Sequence, residues 1–154
     1  MLPKTHLIIG AIFSLFLFIL LPKVGLIEAT LIFFSSSLLD IDHYIYYVYH
    51  KKSWNPKKAY KWFVLRVKEL KKLPKEEQGK YKKPLLIFHG IEFWWIFIFL
   101  SFFFPLTFWI LIGILLHTFL DIIEAINDTS WIIGKLSQTY IYIKNKNKKE
   151  FKFK

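Results

Sequence analysis

The chain has 154 residues, 55% of them hydrophobic and 20% aromatic, with a formal net charge of +11. Cysteine is absent, which excludes disulfides and thiolate metal sites. The length suits one soluble domain, but the apolar residues lie in long runs rather than amphipathic stripes, which argues against solubility.

The first run, Leu7–Leu21, ends at Pro22-Lys23 and is short for a bilayer unless Leu2 and Val24 extend it. No small-residue cleavage site follows, and a second apolar run begins almost at once, so it reads as a span rather than a signal peptide. A membrane helix needs roughly 20 apolar residues. Leu26–Tyr49 has that length but carries charges inside it. Leu85–Phe104 and Leu106–Ile126 have it without Lys or Arg, and Pro105 marks the reversal between them. The expected fold is therefore all-α, a polytopic four-transmembrane-helix bundle with spans at 7–24, 26–49, 85–104 and 106–126.

Between the second and third spans lies the basic loop 50–84. Asn55-Pro56 is a helix start, with Asn as cap and Pro as first residue. From Lys57 to Leu73, Tyr60, Phe63, Val64, Val67 and Leu70 recur among six lysines, the pattern of an amphipathic helix lying on an anionic membrane surface. Residues 1–126 form the expected transmembrane domain, including this loop, and 127–154 a basic cytoplasmic tail. The stretch Lys144–Lys154 is expected to be disordered or lipid-associated.

Of the 22 Lys and Arg, all but Lys23 fall in the N-terminus, the loop 50–84 or the tail after 127. The positive-inside rule then puts both termini and the loop in the cytoplasm, for a multi-pass protein of the cell (inner or plasma) membrane. The basic charge so explained leaves no call for nucleic acid as a partner. The expected partners are membrane lipids, anionic ones first, with a second copy of the chain left open.

Charged groups inside spans are costly and usually mark function. Here they are Asp40, Asp42 and His43 on the second span, His89 and Glu92 on the third, and His117, Asp121 and Glu124 on the fourth, with His6 at the mouth of the first. His117, Asp121 and Glu124 share one helix face, as do Asp40 with His43 and His89 with Glu92. Counted from the helix ends at about 1.5 Å per residue, all four spans bring these groups to one inner-leaflet layer. No Lys or Arg within the second, third or fourth span neutralises the carboxylates. A divalent metal answers that deficit, zinc first, with manganese or iron as alternatives.

Thr5-His6, Leu39-Asp40-Ile41-Asp42-His43, Phe88-His89-Gly90 and Leu116-His117-Thr118-Phe119-Leu120-Asp121 resemble, in order and spacing, the membrane-bound metal-dependent hydrolases of the LexA-regulated type. These are small polytopic bacterial and archaeal proteins, and the resemblance covers residues 5–126. The chain departs from them at Leu38-Leu39, where Leu-Pro is usual, and at Pro84-Leu85-Leu86, which replaces a His-Arg-Gly element. Glu92, one turn after His89, is the candidate for the missing ligand.

The function expected from this is a metal-dependent hydrolase at the cytoplasmic leaflet, acting on a lipid phosphoester or ester. Asp40, His43, His117 and Asp121 are the candidate metal ligands, with His6, His89 and Glu92 as further ones. Asp42 or Glu124 is the candidate general base. The alternatives are a divalent-cation or proton transporter or channel, and a non-enzymatic membrane scaffold.

Overall fold

The computed structural model describes residues 3–125 and 136–152, with the side chains of 3, 124 and 125 outside that description. The fold is all-α, and no strand occurs among the described residues. In chain order the helices are α1 (Pro3–Leu20), α2 (Leu26–Leu38), α3 (Ile41–Lys51), α4 (Pro56–Lys71) and a short α5 (Lys75–Gln78). A 3-10 turn at Ile87–His89 precedes α6 (Ile91–Ser101), and α7 (Pro105–Ala125) and α8 (Gln138–Asn145) follow.

Two helical hairpins make the bundle. The turn 21–25 reverses α1 into α2, and 102–104 reverses α6 into α7. Helix α2 packs along both α1 and α7, and α7 along both α2 and α6. Small residues let these helices approach closely. A Cβ added to Gly113 of α7 would stand 2.5 Å from the Ile32 carbonyl and 2.9 Å from the Ser36 amide on α2. A Cβ on Gly10 of α1 would strike the Ser36 hydroxyl from the other side. Small-residue seams of this kind bring helix backbones into van der Waals contact where apolar burial supplies little drive. Ser35 and Ser36 turn their hydroxyls back onto Leu31 and Phe33 carbonyls, at 2.7 and 2.9 Å, so neither of these two hydroxyls is stranded in the seam.

Among the described residues, one helix is long and apolar enough to cross a membrane, within α7 at Pro105–Ile123. The expected second span is two helices, broken at Leu39-Asp40, and the expected third is helical only from Ile91 to Ser101. The late start of the third helix has identifiable causes. Pro84 has no amide hydrogen to give a helix. The amides of Lys83 and Leu86 are drawn outward to the Asn145 and Gln138 side chains, at 3.0 and 2.9 Å. Gly90 is extended, at φ −90° and ψ 153°, because α8 lies against it: an added Cβ would meet Gln138 Cγ at 2.9 Å.

Helix α4 starts as the sequence predicts, with Asn55 Oδ1 accepting from the Lys58 amide at 3.1 Å. Arg66 departs from the expected basic outer face. It is buried and donates to the Lys82 carbonyl at 2.7 Å, tying α4 to the strip that leads into α6. Burial pulls its pKa below the ordinary arginine value. The segment 144–152, within the stretch expected to be disordered or lipid-associated, is docked rather than disordered: Asn145 makes hydrogen bonds to both the amide and the carbonyl of Lys83, and Lys149 exchanges backbone bonds with Lys80 and Lys82. The tail residues 126–135 lie outside the described residues.

The outward surfaces of the hairpins are apolar. Ile8, Ile12, Leu15, Phe16 and Ile19 of α1 are exposed, as are Phe99, Phe102, Phe103 and Phe104 at the α6–α7 turn. At the opposite end of the bundle from that turn, the start of α1, the α2–α3 break, the approach to α6 and the second half of α7 converge.

Candidate metal centre

The site begins with the break between α2 and α3. After Leu39 the chain closes with i to i+3 bonds, Asp42 N to Leu39 O at 3.3 Å and His43 N to Asp40 O at 3.1 Å. Carbonyls in the last turn of a helix need partners from elsewhere. The Ser36 carbonyl takes His117 Nδ1 at 2.8 Å. A carbonyl only accepts, so Nδ1 carries the hydrogen and Nε2 points inward with a lone pair. His89 is held in the same way: Asp42 Oδ2 accepts from its Nδ1 at 2.9 Å and from the Phe88 amide at 3.2 Å.

Thus oriented, His89 Nε2 and His117 Nε2 face each other at 3.1 Å, both rings buried. Two lone pairs at that distance repel unless a proton or a metal ion lies between them. Two carboxylate oxygens complete the surroundings. Asp40 Oδ1 is 3.6 Å from His89 Nε2 and 3.8 Å from His117 Nε2, and Asp121 Oδ2 is 3.7 and 4.0 Å from the same atoms. Four ligands arranged tetrahedrally at zinc-like bond lengths are separated by about 3.3–3.6 Å. The observed spacings straddle that value. Nδ1 tied to a carboxylate or a backbone carbonyl with Nε2 turned inward is also the usual outer-sphere pattern of a metal-ligating histidine.

These buried His and Asp groups can hold a metal ion. Overlapping sets of ligand atoms, each within 4.8 Å of one another, are formed by His6, Asp40 and His117, by Asp40, His43 and His89, and by His89, His117 and Asp121. Six of the sequence-predicted ligands are therefore brought together. His43 lies at the rim, its side chain 36% exposed, with Nε2 3.7 Å from Asp40 Oδ1 and its ring edge-on to Phe63 of α4 at 4.9 Å.

Glu92, expected as a further ligand, is engaged elsewhere. Its carboxylate accepts from Ser137 Oγ at 2.7 Å and from the amides of Gln138 and Thr139 at 3.2 and 3.0 Å. It thereby caps the start of α8, where unpaired amides and the helix dipole favour a negative charge. Glu92→Ala is expected to leave metal content as in the wild type while releasing α8, read as faster proteolytic cleavage between 126 and 152. Loss of metal in that variant would return Glu92 to the ligand set.

Asp42, expected as a general base, is committed through one oxygen to orienting His89; its other oxygen is buried without a hydrogen bond. Helix α7 extends past Glu124, the other candidate base, whose side chain lies outside the described residues. The partners that the sequence reading missed are the Ser36 carbonyl, the Phe88 amide and the Ser137–Thr139 cap. Backbone groups carry no sequence signal. Ser137 alone had one, as a cap residue ahead of Tyr140, whose amide it accepts at 3.2 Å.

No protein-family model, curated protein or solved structure matches this chain.

Proposed function

We propose that this chain is a membrane-embedded, metal-dependent hydrolase of the membrane-bound type that its motifs resemble, acting on a lipid phosphoester or ester at the cytoplasmic leaflet. The observation that carries the reading is the buried meeting of His89 Nε2 and His117 Nε2, 3.1 Å apart, with an Asp40 and an Asp121 oxygen each 3.6–4.0 Å from both nitrogens. A metal bound there supplies Lewis acidity and a water whose pKa falls to about 7. Asp42 and the Ser36 carbonyl hold the two imidazoles in the ligating tautomer. Asp40 and Asp121 provide the negative charge that a divalent ion requires. His43, the most exposed of the six, is the group positioned to pass a proton to the departing oxygen. Hydrolysis then joins the water oxygen to phosphorus or carbonyl carbon, breaks the ester bond and leaves the proton on the alcohol or phosphate product.

Membrane embedding is supported by the exposed apolar faces of α1 and of the α6–α7 turn, since water-soluble monomers rarely expose contiguous apolar surface of that kind. The four-span topology with both termini inside rests on the charge distribution. A cavity of about 700 Å³ opens beside Asp42, walled by Ile45, Tyr46, Tyr49, Leu85, Phe88 and Tyr142 and edged by Lys83, Lys146 and the Lys82–Glu150 ion pair. Apolar walls with lysines at the edge suit an amphiphile with an anionic head group.

The test is turnover by the metal-loaded protein reconstituted in vesicles. Release of a head group or phosphate from an anionic phospholipid, absent with Asp40→Ala, is the expected result. A folded, metal-loaded sample that cleaves neither phosphoester nor carboxylic ester lipids overturns the reading.

A further inference from the structure

Asp40 Oδ1 and Asp121 Oδ2 both face His89 Nε2 and His117 Nε2, and His6 stands beside that group. His6 is fully buried, its ring stacked on His117 at 3.9 Å, and neither of its nitrogens makes a hydrogen bond. Its Nε2 lies 3.4 Å from Asp121 Oδ1, the oxygen of that carboxylate opposite to the one facing His89 and His117. Asp40 repeats the division: Oδ1 faces His43, His89 and His117, while Oδ2 is buried and makes no hydrogen bond. A ligand atom of His6 also comes within 4.8 Å of ligand atoms of Asp40 and His117.

We propose that the chain binds two divalent cations, the second held by His6 and by the outward oxygens of Asp121 and Asp40, with both carboxylates bridging. This rests on the metal reading above and extends it. A buried imidazole with neither nitrogen hydrogen-bonded is a costly arrangement that a bound cation removes. His43 also neighbours Asp40, but it is partly exposed to solvent and has no such need. Charge points the same way. Asp40, Asp42 and Asp121 bring three negative charges into one buried group; one divalent ion leaves that group net negative, and two leave it net positive. A net positive centre attracts an anionic oxygen. Paired ions about 3.5–4 Å apart are the arrangement that stabilises both the attacking and the leaving oxygen of an in-line displacement at phosphorus. The substrate class narrows accordingly to phosphoesters: water oxygen bonds to phosphorus, the P–O ester bond breaks, and the proton goes to the departing oxygen.

The experiment is metal counting by elemental analysis on the purified full chain, loaded with Zn²⁺ and freed of unbound ion, alongside His6→Ala and the bulkier, hydrogen-bonding His6→Gln. A parallel Mn²⁺-loaded set is read by electron paramagnetic resonance. Two equivalents in the wild type and about one in both folded His6 variants are expected, with the spin-coupled signal of a bridged manganese pair replaced by that of an isolated ion. One equivalent in the wild type, unchanged in the variants, overturns the second site and leaves the single-metal reading intact. Two equivalents retained in both variants overturns the assignment of His6. No metal in a folded wild type overturns both readings together.

Discussion

Asp40→Ala and His117→Ala are each expected to lower metal affinity by more than about 100-fold, beyond the 10–100-fold typical of losing an outer-sphere partner. Asp40 Oδ1 neighbours three imidazole nitrogens, those of His43, His89 and His117, at 3.6–3.8 Å, so its removal takes the negative charge from the middle of the group. His117 supplies one of the two facing Nε2 atoms and is held by a single well-formed bond to the Ser36 carbonyl. Asp42→Asn is the calibrating variant, since it keeps a side chain beside His89 Nδ1 and removes only charge and tautomer control; its loss should stay within the outer-sphere range. Titration of the apo-protein with Zn²⁺ against a competing chelator measures all three. Retention of wild-type affinity in both Asp40→Ala and His117→Ala would show that no metal sits between these side chains.

Gly113→Ala should be the most damaging single methyl in the bundle. The added Cβ meets backbone atoms on α2, the Ile32 carbonyl at 2.5 Å and the Ser36 amide at 2.9 Å, and backbone cannot turn aside. The helices must separate, at a cost of about 1–3 kcal/mol for an overpacked contact. One turn further along α7, His117 reaches across the same seam to Ser36, so separation also detunes the metal site. Gly10→Ala is the comparison. Its Cβ meets only atoms of the Ser36 and Ser37 side chains, and a hydroxyl can rotate away. Thermal unfolding in detergent and zinc affinity should both fall further in Gly113→Ala than in Gly10→Ala. Equal and negligible effects would mean that α2 and α7 do not pack in this register.

The polar layer was legible because the signal is local and chemical. Asp40, His43, His89, His117 and Asp121 stand out as ionisable residues in apolar surroundings, and helical spacing alone puts Asp40 with His43 and His117 with Asp121 on common faces. Glu92 carried the same signal and was drawn to α8 instead, because the fold presents it with a hydroxyl and two unpaired amides. Nothing in the residues around position 92 reports that the chain returns there 45 residues later. The late start of α6 at Ile91 was hidden for a related reason: hydropathy counts side chains and does not register where backbone amides find other acceptors.

By itself, then, the sequence determined the all-α character, the apolar runs, the one-sided distribution of Lys and Arg, and the identity of the groups able to bind metal. Each is a property of a residue and its near neighbours along the chain. Tertiary structure decided which imidazole nitrogen faces inward, which carboxylates face those nitrogens and which one orients a ring from behind, and that His6 is left buried without a hydrogen-bonding partner. Those outcomes depend on groups that meet across the bundle, among them a carbonyl at Ser36 that differs from every other carbonyl only in where the helix ends and what packs against it.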